Sequence, residues 1–153
     1  MENLKRKLQL EQLNKKIKAF DKLEPASPAC GWVYATRTAL GMSMEQLGKK
    51  MGITKQGIKD LERREADGAI SLNNLNEAAK AFGLKLTYGF SAPNKSLEKM
   101  VNERALEVAK NIVLRTSQNM NLENQANSKS RIRKAIKDRA AEILAENEKC
   151  LWD

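Results

Sequence analysis

The sequence predicts a mostly α-helical fold with one short β-strand. Apolar residues recur at helical spacing over most of the chain, and Gly, Pro and Ser clusters separate those runs. Only Leu84–Phe90 alternates with a period of two. The expected organisation is an N-terminal helix over 1–24, a linker at 25–30, a compact helical domain over 31–83, a strand at 84–90 and a C-terminal helical region over 95–153.

The first helix is expected over Asn3–Leu23, with Leu4, Leu8, Leu13, Ile17 and Phe20 as its apolar stripe. "EPASPAC" (24–30) then reads as a linker because of its two prolines. Within the compact domain, Trp32, Ala35, Ala39 and Leu40 make the apolar side of one supporting helix. Leu72, Leu75, Ala78, Ala79 and Phe82, begun by Ser71, make that of another. In "LKLTYGF", Leu84, Leu86, Tyr88 and Phe90 alternate against Lys85 and Thr87, which predicts the strand. Ser96 caps a long helix whose stripe is Leu97, Met100, Val101, Ala105, Val108, Ala109, Ile112 and Val113. The polar run Ser117–Ser128 is expected to interrupt it. A last helix covers Lys129–Asn147, with Ile132, Ala135, Ile136, Ala140, Ile143 and Leu144 on one face.

The chain carries 28 basic and 19 acidic residues, a net charge of +9, spread evenly over its thirds. That balance favours an anionic partner, nucleic acid first. The mean hydropathy of −0.60 and the lack of an apolar run of about 18 residues exclude a spanning helix. Residues 1–20 lack the apolar core of a signal peptide, so a cytoplasmic protein is expected, with Cys30 and Cys150 as reduced thiols. There is no histidine, which removes His-based acid–base and metal chemistry, and no glycine-rich phosphate loop. Neither enzymatic activity nor a cofactor or metal is expected.

The most informative stretch is "MSMEQLGKKMGITKQGIKDLE" (42–62). Ser43 and Gln46 have capping-box spacing, and Leu47 and Met51 share a face. Gly52 can take positive φ and end the helix sharply. Ile53 plugs the corner and Thr54 caps a second helix, where Ile58 and Leu61 face inward while Lys55, Gln56, Lys59 and Arg63 face out. Two helices joined by so short a turn make a helix-turn-helix. The second helix suits DNA. Its N-terminus attracts phosphate, Gln56 can pair bidentately with adenine, and lysine can donate to guanine. Gly57 has two readings, close approach to a base edge or tolerance at a surface position. The expected DNA-binding residues are Ser43, Thr54, Lys55, Gln56, Gly57, Lys59 and Arg63.

"MSMEQLGKKMGITKQGIKDLERRE" resembles the Cro/repressor-type (XRE) helix-turn-helix family at its Ser, Leu, Gly, Ile, Ile and Leu-Glu landmarks. This implies a lambda-repressor-like helix-turn-helix domain. Met44 departs from the phosphate-binding glutamine of many members. "GWVYATRTALGMS", "RREADGAISLNNLNEAAKAFGLKLTYGFSAP", "NMNLENQ" and the terminal "LWD" extend the likeness to the bacterial family called mobile mystery protein A. Members of that family are typically encoded beside a Fic-domain protein. The resemblance therefore implies a DNA-binding transcriptional regulator, the autoregulating, antitoxin-like partner of such a protein. The alternative is a protein-interaction module that neutralises a Fic-type toxin through its C-terminal helices, with DNA binding secondary. No Ser or Thr is followed four residues later by Glu, so the Ser/Thr-x-x-x-Glu inhibitory helix of Fic inhibitors is not present.

Readers of this type work as homodimers on palindromic operators in double-stranded DNA. A lone strand cannot satisfy its own backbone, so Leu84, Leu86, Tyr88 and Phe90 are the expected dimer contact, with intrachain pairing as the alternative. "KSRIRKAIKDR" (129–139) holds six basic residues and one acid; it is either a phosphate-binding flank or a solvated face.

Overall fold

The computed structural model describes residues 2–23, 27–120, 128–146 and 148–153. Expectations for 24–26 of the linker, and for 121–127 and 147, lie outside the described residues. The chain divides into two compact units. One comprises Glu24–Gly89, the other Met1–Leu23 with Phe90–Asp153.

Glu24–Gly89 contains α2 (Trp32–Ala39), α3 (Met44–Met51), α4 (Lys55–Ala66) and α5 (Leu72–Ala81). Its centre is Val33, Leu47, Ile58, Leu61 and Ala78, lined by Met42, Met44, Met51, Ile70, Leu75 and Phe82. Leu47 and Ile58 are fully buried, as their helical spacing requires. Truncating either to alanine would cost roughly 2–5 kcal/mol. The α2 face differs from expectation. Val33 and Arg37 are buried, whereas Trp32 and Leu40 are largely exposed and Ala39 is exposed. The helix turns its Val33–Arg37 edge inward because Arg37 has a buried carboxylate to meet. Leu72 likewise lies outside the core, at the exposed start of α5.

No strand forms at Leu84–Phe90, and none occurs among the described residues. This corrects the predicted strand. A strand needs a ladder partner, and no described residue pairs with this segment as one. Leu84, Tyr88 and Phe90 are exposed, Phe90 at 85%. Leu86 is half-buried, and with Leu84 it lines an apolar cleft of about 330 Å³ shared with Trp32, Val33, Leu75 and Phe82.

The other unit holds α1 (Glu2–Asp21), α6 (Leu97–Met120), α7 (Ser128–Glu146) and a 3-10 helix, Glu148–Trp152. Helices α6 and α7 meet through Ala105, Ala109, Ala140 and Ile143, closed off by the fully buried Leu151. The small side chains on that seam allow a close approach. The Arg104 Nε donates to the Leu151 carbonyl at 2.6 Å, which fixes the chain end. Ala135, Met100 and Ile112 are exposed, so each predicted stripe is wider than the seam it serves. Helix α6 also runs on through Ser117–Met120, where an interruption was expected. The Thr116 hydroxyl donates to the Ile112 carbonyl at 3.0 Å and that of Ser117 to Leu114 at 3.2 Å, so these hydroxyls are satisfied inside the helix.

Helix α1 departs furthest from its apolar pattern. Leu4, Leu8 and Leu13 are exposed, while Asn14 and Ile17 are buried. Polar contacts set its orientation. The Asn14 Oδ1 accepts the Leu97 N–H at 2.8 Å and the Asp21 Oδ1 accepts that of Ala92 at 2.7 Å, while Asn3 donates to the Ala145 carbonyl. A first-turn N–H such as Leu97's has no acceptor within its own helix, so Asn14 supplies one.

Candidate nucleic-acid interface

Both caps of the α3–α4 pair form as their residues dictate. The Ser43 Oγ accepts the Gln46 N–H at 3.1 Å, and the Gln46 Oε1 accepts the Ser43 N–H at 2.8 Å. This reciprocal box holds the first turn of α3. Gly52 ends the helix at φ 72°, ψ 25°, in the left-handed region that a side chain would strain. The Thr54 Oγ1 then accepts the Gly57 N–H at 3.0 Å, starting α4 from an extended Thr54. Gly48 makes the sharp corner fit, because a Cβ there would lie 2.6 Å from the Ile53 carbonyl oxygen. Ile53 itself remains 40% exposed, so it covers the corner only in part.

Two anchors hold α4 against α2. Glu62, 6% exposed, meets Arg37, 7% exposed, through Nε–Oε1 at 2.5 Å and Nη2–Oε2 at 3.1 Å. The Arg37 Nη1 also donates to the Met42 carbonyl at 3.0 Å, and the guanidinium lies 5.3 Å from the Tyr34 ring centre. The hydrogen bond to Glu62 raises the Arg37 pKa, against the opposing effect of burial, so the charge persists inside the fold. In the second anchor, the Glu65 carboxylate accepts the Trp32 and Val33 N–H groups at 2.7 and 2.9 Å. It thereby supplies acceptors and negative charge to the N-terminus of α2.

These anchors leave the opposite side of α4 in solvent. Thr54, Lys55, Gln56, Lys59 and Arg63 are exposed, and Gly57 is half-buried. Ser43 is exposed at the start of α3. The Lys55 Nζ lies 3.3 Å from the Glu45 carboxylate, which puts the first turns of α3 and α4 side by side. The Gln56 Nε2 donates to the Asp60 Oδ1 at 3.3 Å, and the Arg63 Nη2 pairs with the same oxygen at 3.1 Å. Lys59 makes no ion pair among the described residues.

Residues 33–89 match the family model described as Helix-turn-helix. This segment is an XRE-type helix-turn-helix domain. No curated protein and no solved structure matches the chain significantly. The helix-turn-helix domain points to DNA binding and, through it, to transcriptional regulation. Its α3 crosses to α4 through the Gly52 turn, and α4 stands in the position of the recognition helix.

Several residues that shape the domain escape the sequence pattern. Glu62 belongs to the Leu-Glu landmark, which is its one sequence signal, but Arg37 reads as a surface residue of an amphipathic helix. Glu45 and Glu65 look like ordinary surface acids until the fold brings them to Lys55 and to the first N–H groups of α2. Asp60 looks like one too, although its partners Gln56 and Arg63 share its helix. Of the residues expected at a dimer contact, Leu84 and Leu86 line the cleft shared with Trp32 and Phe82, and Tyr88 and Phe90 are exposed.

Proposed function

We propose that this chain is a sequence-specific DNA-binding transcriptional regulator that acts as a homodimer on a palindromic operator. The observation that carries the reading is the solvent face of α4, where Lys55, Gln56, Lys59 and Arg63 are exposed while Arg37, Glu62 and the core hold the opposite face. A helix so placed can enter the major groove. Gln56 then pairs with adenine, Lys59 donates to guanine, and Lys55, Arg63, Ser43 and Thr54 take phosphates. Gly57 leaves room for a base edge. Leu84, Leu86, Tyr88 and Phe90 contact the second copy, since the exposed apolar side chains of Leu84, Tyr88 and Phe90 gain stability when covered. Selection of binding sites from a random duplex pool with the purified protein tests this. A palindrome with half-sites about one helical turn apart supports it, and a pool without enrichment refutes it.

The resemblance to mobile mystery protein A supports a finer reading, in which the chain regulates its own promoter as the antitoxin-like partner of a Fic-domain protein. The alternative of a toxin-binding module draws on one observation: Met100, Leu106, Ile112 and Leu114 of α6 are exposed apolar side chains. Co-expression of the full chain with the neighbouring gene product discriminates. Loss of co-purification in Leu106→Asp/Ile112→Asp supports the module, and unchanged recovery counts against it. A cytoplasmic location fits either reading; no described helix is long and apolar enough to cross a membrane.

A further inference from the structure

The first turns of α7 carry Lys129, Ser130, Arg133, Lys134 and Lys137, which line one shallow groove along the helix. All five side chains are exposed. None of the four cations makes an ion pair with a described residue, whereas several surface bases elsewhere find acids one turn away. Lys80 pairs with Glu77, Lys99 with Glu103, Arg104 with Glu107, and Arg139 of α7 itself with Glu142. Lys129–Arg139 has a single acid, Asp138, against six bases. The groove is therefore a concentration of positive charge that no described acid pairs with, and the positive end of the helix dipole lies behind it.

We propose that this face of α7 is a second nucleic-acid contact, one that grips duplex phosphates without reading sequence. From Lys129 to Lys137 the helix rises about 12 Å, a span that covers about three phosphates of one strand. Ser130 adds a neutral donor beside them. A membrane surface fits this face less well. An interfacial helix must insert an apolar face, and the apolar face of α7 is already spent on α6 through Ile136, Ala140 and Ile143. The inference takes its choice of anion from the DNA-binding reading, but it concerns the other compact unit and needs no role for α4.

The test measures affinity of the full chain for a 30-base-pair duplex of arbitrary sequence across a salt series, where base readout plays no part. Arg133→Gln/Lys134→Gln/Lys137→Gln should make the log–log salt slope shallower by about 2.7, or 0.9 per lost phosphate contact. Arg133→Lys should leave the slope unchanged. A control, Lys5→Gln/Lys7→Gln/Lys15→Gln, removes the same charge from exposed positions of α1 and should change the slope little. Equal slopes for wild type and the α7 variant overturn the proposal, as does an equal effect of the α1 control. Binding of wild type to phosphatidylserine vesicles that is lost in the α7 variant, with duplex affinity intact, overturns it in favour of a lipid surface. Failure of α4 to select sequence would leave this readout intact, so the two failures are distinguishable.

Discussion

Arg37 of α2 and Glu62 of α4 form a buried, two-pronged ion pair, with both side chains less than a tenth exposed. The pair links the supporting helix to the proposed recognition helix from beneath. It fixes how far and at what angle the opposite face of α4 projects.

Removing one partner strands the other's charge in the core. Arg37→Met or Glu62→Gln should each destabilise the helix-turn-helix domain by about 3–5 kcal/mol, whereas Arg37→Met/Glu62→Leu should come close to wild type. Urea titration followed by Trp32 fluorescence, in a Trp152→Phe background, isolates this unit. Singles as mild as the double would show that the pair does not anchor α4. The pH dependence has a definite sign. The Arg37 pKa is raised by folding, so its contribution is complete below the unfolded value and is lost only as pH rises through the higher folded one. Between neutral pH and pH 9, the Arg37 contribution should therefore stay constant.

Gly57 and Gly48 should respond oppositely to alanine. A Cβ at Gly57 meets Ile53 and Thr54 side chains at 3.4 Å, an ordinary contact, and the helix gains by losing a glycine. Gly57→Ala should stabilise the domain by about 0.5–1 kcal/mol. At Gly48 the Cβ meets backbone, and Gly48→Ala should destabilise by about 1–3 kcal/mol. Thermal unfolding checks both. If Gly57→Ala is stable yet loses operator affinity, the glycine serves close approach to a base; if affinity holds, it is a tolerated surface residue.

Asp60 holds Gln56 and Arg63 on the free protein and places a negative charge where phosphates should come. Asp60→Asn should therefore tighten binding to duplexes of arbitrary sequence several-fold and narrow the gap to the operator. Unchanged non-specific affinity in a filter-binding series would show that Asp60 plays no part in discrimination.

Tyr88 and Phe90 are exposed at 68% and 85%, so charge there should not disturb the protomer. Tyr88→Asp/Phe90→Asp should convert a dimer to a folded monomer in sedimentation, with unchanged helical circular dichroism. A wild-type chain that sediments as a monomer at all concentrations would rule out the dimer contact.

Much of the helix-turn-helix domain was legible because its devices are local. Ser43 with Gln46, the Gly52 turn, the Thr54 cap and the inward pair Ile58 and Leu61 lie within a few residues of their partners, and each forms as spaced. Features set by distant partners were not legible. Arg37 is buried because Glu62 arrives from 25 residues away, and that displaces Trp32 and Leu40 from the expected face. Leu4 and Leu8 stay exposed because Asn14 and Asp21 find backbone N–H groups more than 70 residues on. The alternation at Leu84–Phe90 forms no strand, because alternation alone supplies no ladder partner.

The central claim is that the outer face of α4 reads base edges. Footprinting of Gln56→Ala/Lys59→Ala on the selected operator tests it most directly. The account predicts loss of the protected site at concentrations where wild type saturates it, with unchanged circular dichroism and retained weak binding to arbitrary duplex. Protection by the double variant at wild-type concentrations, over the same bases, would contradict it.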